Sequence, residues 1–183
     1  MIRKISIFAR DSRGIAAIEM AFIMPALLFL YFGLVDLTGL ITLNRKISYS
    51  SSVVADLVSQ NKTTVTSANI TDYFNAAELV MSPTPIANLR VAVYDYYSNA
   101  GTITMRWSKS STGGTSCGTP STANLANLMT DGNDVVLVLA CSTYTPYLAT
   151  FLGQNVLGAT SFSLDGQTAL RPRTSATLAC TGC

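Results

Sequence analysis

Histidine is absent from the 183 residues. That excludes His–Asp triads, His-ligated zinc and imidazole acid–base chemistry together. Charge is scarce: Asp, Glu, Lys and Arg make up 12% of the chain, against about 25% in ordinary soluble domains. The net charge of +2 is too small for the basic footprint that nucleic acid requires. Cysteine does not occur before Cys117. GxGxxG and P-loop motifs are missing, as are paired catalytic acids. These absences leave no expectation of an enzyme, a cofactor, a catalytic or metal site, or a small-molecule substrate.

What the chain has is a long apolar run. Ile15–Val35 holds 21 residues with one charge, Glu19. At about 1.5 Å per residue such a helix spans roughly 30 Å, the thickness of a bilayer core. Asp36 ends the run, although Leu37–Leu43 stays mostly apolar. Upstream, Arg3, Lys4, Arg10 and Arg13 stand against Asp11; downstream come Arg45 and Lys46. The richer basic leader puts the N-terminus in the cytoplasm and the remainder outside. The run is too long for a secretory signal peptide and no A-x-A cleavage site follows it. Pro25 predicts a mild kink, which membrane helices tolerate. Glu19 is the informative residue. An ionisable group in a span costs roughly 2.5–3.5 kcal/mol on insertion scales, and so points to function unless it lies close enough to the interface to reach water.

The order Gly14, Ile15, Glu19 resembles a type IV prepilin processing site. The longer run G-I-A-A-I-E-M-A-F-I-M-P-A-L-L resembles the TadE/TadG-like family of tight-adherence (Flp) pilus assembly proteins. Met20 stands where the Flp-type motif has an aromatic residue. The Asp-x-Ser-x-Ser metal motif of longer von Willebrand-bearing relatives is missing, which makes the short TadE-like type the better match. The resemblance implies cleavage by a prepilin peptidase between Gly14 and Ile15. It also implies a role for Glu19 in assembly, where its carboxylate meets the new amine of a neighbouring subunit. An unpaired carboxylate in hydrocarbon is costly and a paired one less so, which would select subunit register.

Beyond the run, Ile47, Val54, Leu57 and Val58 place one apolar face on a continuing helix from Asn44 to Gln60. This face reads as core, with subunit packing as the alternative. Asn61–Ser67 is polar and reads as a loop. Ile70, Phe74, Ala77 and Met81 predict a second helix ending before Pro83. Alternation from Leu89 through Tyr97 predicts a strand, Asn99-Ala100-Gly101 a turn, and Ile103, Met105 and Trp107 one face of a returning strand. The tyrosines read as cross-strand packing rather than a binding surface. Lys109–Thr130 is a long Ser/Thr/Gly-rich loop with a short helix near Leu125–Met129. Asp131-Gly132-Asn133-Asp134 is too short for an EF-hand and reads as a turn. Val135–Ala140 reads as a central strand, and Ala159–Arg171 as the last strand with a turn at Asp165-Gly166. Arg171 and Arg173 flank a proline suited to blunting a sheet edge; a partner's carboxylate or a lipid phosphate is the functional alternative.

Cys180 and Cys183 have redox-motif spacing, but no helix follows Cys183 in this sequence to lower a thiol pKa, and zinc would need two further ligands. Four cysteines allow three pairings. We favour Cys117–Cys141, tying the loop to a strand, and Cys180–Cys183, closing the tail.

The expected architecture is α+β: a basic leader (1–14), a transmembrane helix (15–43), and an extracytoplasmic domain (44–183) with a helix and an antiparallel sheet. The expected protein is a minor pseudopilin-like component of Flp pilus assembly. It is single-pass in a bacterial inner membrane, its domain is periplasmic or carried into a surface pilus, and its partners are lipid, other pilus subunits and the peptidase. The alternatives are an unprocessed, anchored accessory protein of the secretion machine and a pilus-tip adhesin using Tyr94–Tyr97 or the Lys109–Thr130 loop.

Overall fold

A 47-residue helix, α1 (Arg13–Ser59), runs through Pro25 and through the 43/44 division without a break. The computed structural model describes residues 13–83, 88–113, 116–123, 125–153 and 161–183. After α1 come β1 (Thr64–Thr66), α2 (Ser67–Met81), β2 (Arg90–Asn99), β3 (Thr102–Ser110), α3 (Leu125–Leu128), β4 (Asp134–Tyr144), α4 (Tyr147–Leu152), β5 (Phe162–Leu170) and β6 (Ala179–Thr181). The fold is α+β, with the sheet ordered β3-β2-β4-β5 and every neighbour antiparallel. A two-stranded parallel ribbon joins β1 to β6.

The outer half of α1 and all of α2 lie on one face of the sheet. Ile47, Val54 and Val58 meet Ile70, Phe74 and Met81 of α2 and Val91, Val93, Val136 and Val138 of the sheet. Each such side chain contributes about 1.5–3 kcal/mol when fully buried, so these positions fasten the helix to the domain. The predicted apolar face of α1 is thus a core face. A capping box starts α2: Thr66 Oγ1 accepts from the Asn69 amide at 3.2 Å, and Asn69 Oδ1 accepts from the Thr66 amide at 3.2 Å. On the other sheet face, Leu125 of α3 covers Val135 and Leu137, with Tyr94, Tyr96 and Ile103 packed around them. Val135–Ala140 is therefore buried on both faces, as a central strand requires, and Tyr94 and Tyr96 are packing residues.

Three local expectations are corrected. The Asn61–Ser67 segment is not all loop. Val65 is buried and Thr64–Thr66 pairs with Ala179–Thr181. A strand this short, whose partner lies over a hundred residues away, leaves no periodicity to read. Ile103, Met105 and Trp107 do not share a face. Asp95 pairs with Trp107 but Tyr96 pairs with Met105, so Arg106 is an inserted residue and the strand changes phase there. Ile103 accordingly packs beneath α3, Trp107 packs on the helix side, and Met105 is exposed. Finally, Asp165-Gly166 makes no turn. Both lie inside the continuous strand Phe162–Leu170, and Gly166 is there because α1 passes over it. A Cβ on Gly166 would come within 2.9 Å of the Ser48 Cα.

Candidate assembly surface and membrane anchor

Gly14 and Ile15 lie in the first turn of α1, and Glu19 one turn further on. From Ile15 through Tyr31 every side chain is exposed. This is the unsupported part of the helix, and its exposed residues include Phe22, Ile23, Leu27 and Leu30. Such a surface is intolerable in water and suited to hydrocarbon. Ile15–Ser59 contains the one candidate span among the described residues, and its most apolar window carries no burial within the fold. This fits a single-pass membrane protein. Glu19 has no hydrogen-bond or ion-pair partner among the described residues, so any partner for its carboxylate inside a bilayer must come from elsewhere.

Asp36, which marks the end of the uncharged run, plays a role that sequence reasoning missed. It is buried, and its carboxylate Oδ1 accepts from the Tyr147 amide at 2.8 Å while Oδ2 accepts from the Leu148 amide at 2.9 Å. The residue preceding α4 is Pro146, which makes no side-chain cap. Asp36 therefore supplies the cap of α4 from another helix, satisfying two amides left free at its first turn. Tyr144 Oη donates to the same carboxylate at 3.2 Å. Gly39 makes room for that ring, since a Cβ there would meet Tyr144 Oη at 2.6 Å. The available signal was the isolation of an acid between Leu34-Val35 and Leu37; the recipient of its hydrogen bonds lies more than a hundred residues on.

A second acidic feature lies under the helices. Asp95 and Asp134 are both fully buried. Arg106 reaches Asp134 Oδ2 at 3.3 Å and stacks 4.0 Å from the centre of the Tyr97 ring. Asp134 Oδ2 also accepts from the Leu178 amide at 2.6 Å, while Trp107 Nε1 donates to the Leu178 carbonyl at 2.9 Å. The Leu178 backbone is thus held from both sides next to β6. Asp95 has neither carboxylate oxygen hydrogen-bonded, and Asp134 Oδ1 is also unpartnered. Burial, then the neighbouring Asp134 charge, pushes the Asp95 carboxyl up to about 8 despite Arg106. Burial also raises Asp134, opposed by its hydrogen bond from Leu178 and by Arg106. Asp95 continues the inward-facing series of Val91 and Val93, a position the sequence reading passed over, and the strand register sets its neighbours.

The remaining sequence candidates are placed as follows. Cys117 is bonded to Cys141 and Cys180 to Cys183. Asp131 closes the Thr130–Asn133 turn, accepting from Ser98 Oγ at 2.7 Å and from the Gly101 amide at 3.0 Å, which holds its carboxyl below the usual range. Arg171 donates to the Leu128 carbonyl, and Arg173 pairs with Asp56 of α1. Both arginines of the terminal motif thus have partners within the chain. No group of three or more metal-ligating side chains occurs among the described residues.

The family model of TadE-like protein matches residues 14–56. That stretch begins at Gly14, contains Glu19 and Asp36, and ends on the buried face of α1. No curated protein matches the chain, and no solved structure matches it. The match points to a Tad pilus-associated protein with an N-terminal membrane helix. Residues 14–56 are similar to the TadE-like family, and the run Gly14–Leu28 that carries the tight-adherence resemblance lies inside that stretch.

Proposed function

We propose that the protein is a minor pseudopilin-like component of Flp/Tad pilus assembly, anchored in the bacterial inner membrane and acting through protein–protein contacts. The observation that carries this reading is Glu19, exposed on a bare apolar helix five residues after Gly14. A prepilin peptidase cutting after Gly14 would leave Ile15 with a charged amine. Glu19 of one subunit could then neutralise the amine of the next. Each charge alone in hydrocarbon is costly and the pair less so, so the contact selects one register between neighbouring helices. The uncovered circumference of the helix leaves every face open to such neighbours. The domain is periplasmic in this reading, where oxidising conditions suit its two disulfides.

The test is the intact mass and N-terminal sequence of the protein from cells with and without the prepilin peptidase. A chain starting at Ile15 only when the peptidase is present supports the pseudopilin role. A chain starting at Met1 in both refutes it and favours the permanently anchored accessory protein. Recovery in sheared fibres would separate a pilus component from a scaffold.

A further inference from the structure

We propose that α4 is a second membrane contact, seated in the lipid interface on the domain's side of the bilayer and held there by Asp36. The inference rests on the single-pass reading of α1 and is independent of peptidase cleavage.

The apolar exterior of α1 does not stop at Asp36. That carboxylate is turned inward onto the amides of Tyr147 and Leu148 and is only 8% exposed. On the outside, Leu37 and Ile41 remain exposed, and no charged side chain follows Asp36 until Arg45. The first charge after the run therefore does not mark the boundary of the hydrocarbon, and α4 is attached at the level of that charge.

At that level α4 stands beside the span. A Cβ on Gly33 would be 3.9 Å from the Leu148 side chain, so the short helix reaches down past Asp36 towards the bilayer core. Its sequence, Tyr147-Leu-Ala-Thr-Phe-Leu152, carries no charge, and neither do Ser142–Pro146 before it. Tyr147 is 68% exposed although it begins the helix, and tyrosine is enriched at the headgroup level because its ring is apolar and its hydroxyl wet. Between Tyr147 and α1 runs an open groove of about 510 Å³, bounded by Val35, Thr38, Gly39, Thr42, Tyr144 and, further along the helix, Lys46. Its walls are apolar or hydroxylic apart from Lys46, whose ammonium donates to the Met81 and Ser82 carbonyls; a cation beside a tyrosine above an apolar wall suits an acyl–headgroup boundary.

Lipid is the occupant because this face continues the exposed surface of the span, with no charge on the helix between Asp36 and Arg45. Lipid lying against Val35 and Thr38 of the span meets Tyr147 across the same groove. The domain is then tethered by α1 and steadied against the membrane at a second point.

The test uses the full chain in nanodiscs of phosphatidylcholine brominated either near the headgroup or deep in the acyl chain. Tyr147→Trp, Phe22→Trp and Met105→Trp are compared, each against the Trp107 emission of the unsubstituted protein. Phe22 lies in the span, and Met105 is exposed on β3 opposite Tyr96, at the end of the sheet remote from Tyr144. The indole added by Tyr147→Trp should lose emission to the headgroup-proximal bromines. The loss should be close to that of the Phe22→Trp variant with the deep bromines, while the Met105→Trp variant keeps its emission with both. A Tyr147→Trp variant no more quenched than the Met105→Trp variant would overturn the proposal and leave the face to another protein surface. An unquenched Phe22→Trp variant would remove the bilayer itself, and the proposal with it. The peptidase experiment has no bearing on any of these outcomes.

Discussion

Gly166 of β5 lies directly beneath Ser48 of α1, with room for hydrogen and not for carbon. A Cβ at Gly166 would stand 2.9 Å from the Ser48 Cα and 3.0 Å from its amide nitrogen. Both obstacles are backbone, so neither can rotate away. Ser51 and Thr168 hydrogen-bond at 2.9 Å alongside, fixing helix and strand at this spacing. Gly166→Ala should destabilise the domain by about 1–3 kcal/mol, the usual range for overpacking a close contact. Denaturant unfolding of the domain reports it. An unchanged midpoint would mean that the helix can lift from the sheet at no cost.

Asp95 links stability to pH. Unfolded, its carboxyl ionises near the ordinary 3.8; folded, it keeps its proton to about 8. Across that interval the folded chain binds more protons than the unfolded one. Stability is therefore fully present below about pH 4 and is lost as pH rises through about 8, at up to roughly 1 kcal/mol per pH unit. Asp134, also raised, contributes with the same sign. Asp95→Asn cannot ionise, so its advantage over the natural residue should be small at pH 5 and grow towards pH 8. Unfolding curves at several pH values check this, and parallel pH profiles for the two proteins would contradict it.

Asp36→Ala should loosen α4 and little else. It removes the acceptor for the Tyr147 and Leu148 amides, while Tyr144 Oη keeps the Asp36 carbonyl at 3.1 Å, and Pro146 before α4 supplies no side-chain cap. A lost cap costs about 0.5–2 kcal/mol. Hydrogen exchange should accelerate at Tyr147 and Leu148, while the β4 amides retain their protection. Uniform acceleration across the domain would assign Asp36 a global role instead.

Glu19→Ala should leave the protein inserted in the membrane but unable to support pili. The side chain has no partner among the described residues, so folding of the domain does not depend on it. Membrane fractionation and counting of surface fibres test the two halves separately. Normal piliation in the variant would sink the charge-pairing account.

The sequence alone determined the elements whose signal is local. The 21 residues of Ile15–Val35 were readable as a span because length and hydropathy are additive along a chain. The stripe Ile70, Phe74, Ala77, Met81 was readable as a helix, and the run Val135–Ala140 as a buried strand, because their periods match the structures they form. Glu19 was conspicuous because charge in an apolar run is rare. Tertiary structure alone decided what depends on a distant partner. The Arg106 bulge reverses the facing of a strand whose alternation looked regular. Gly166 resembled a turn residue until α1 was seen to cross it. Asp36 looked like the end of a membrane span, yet its carboxylate caps a helix that begins more than a hundred residues later. Asp95 looked like one polar position in a strand, and only the register of β2 and β4 set it in the interior near Asp134. In each case the local pattern was real, but its meaning depended on which atoms the fold brought within a few ångströms.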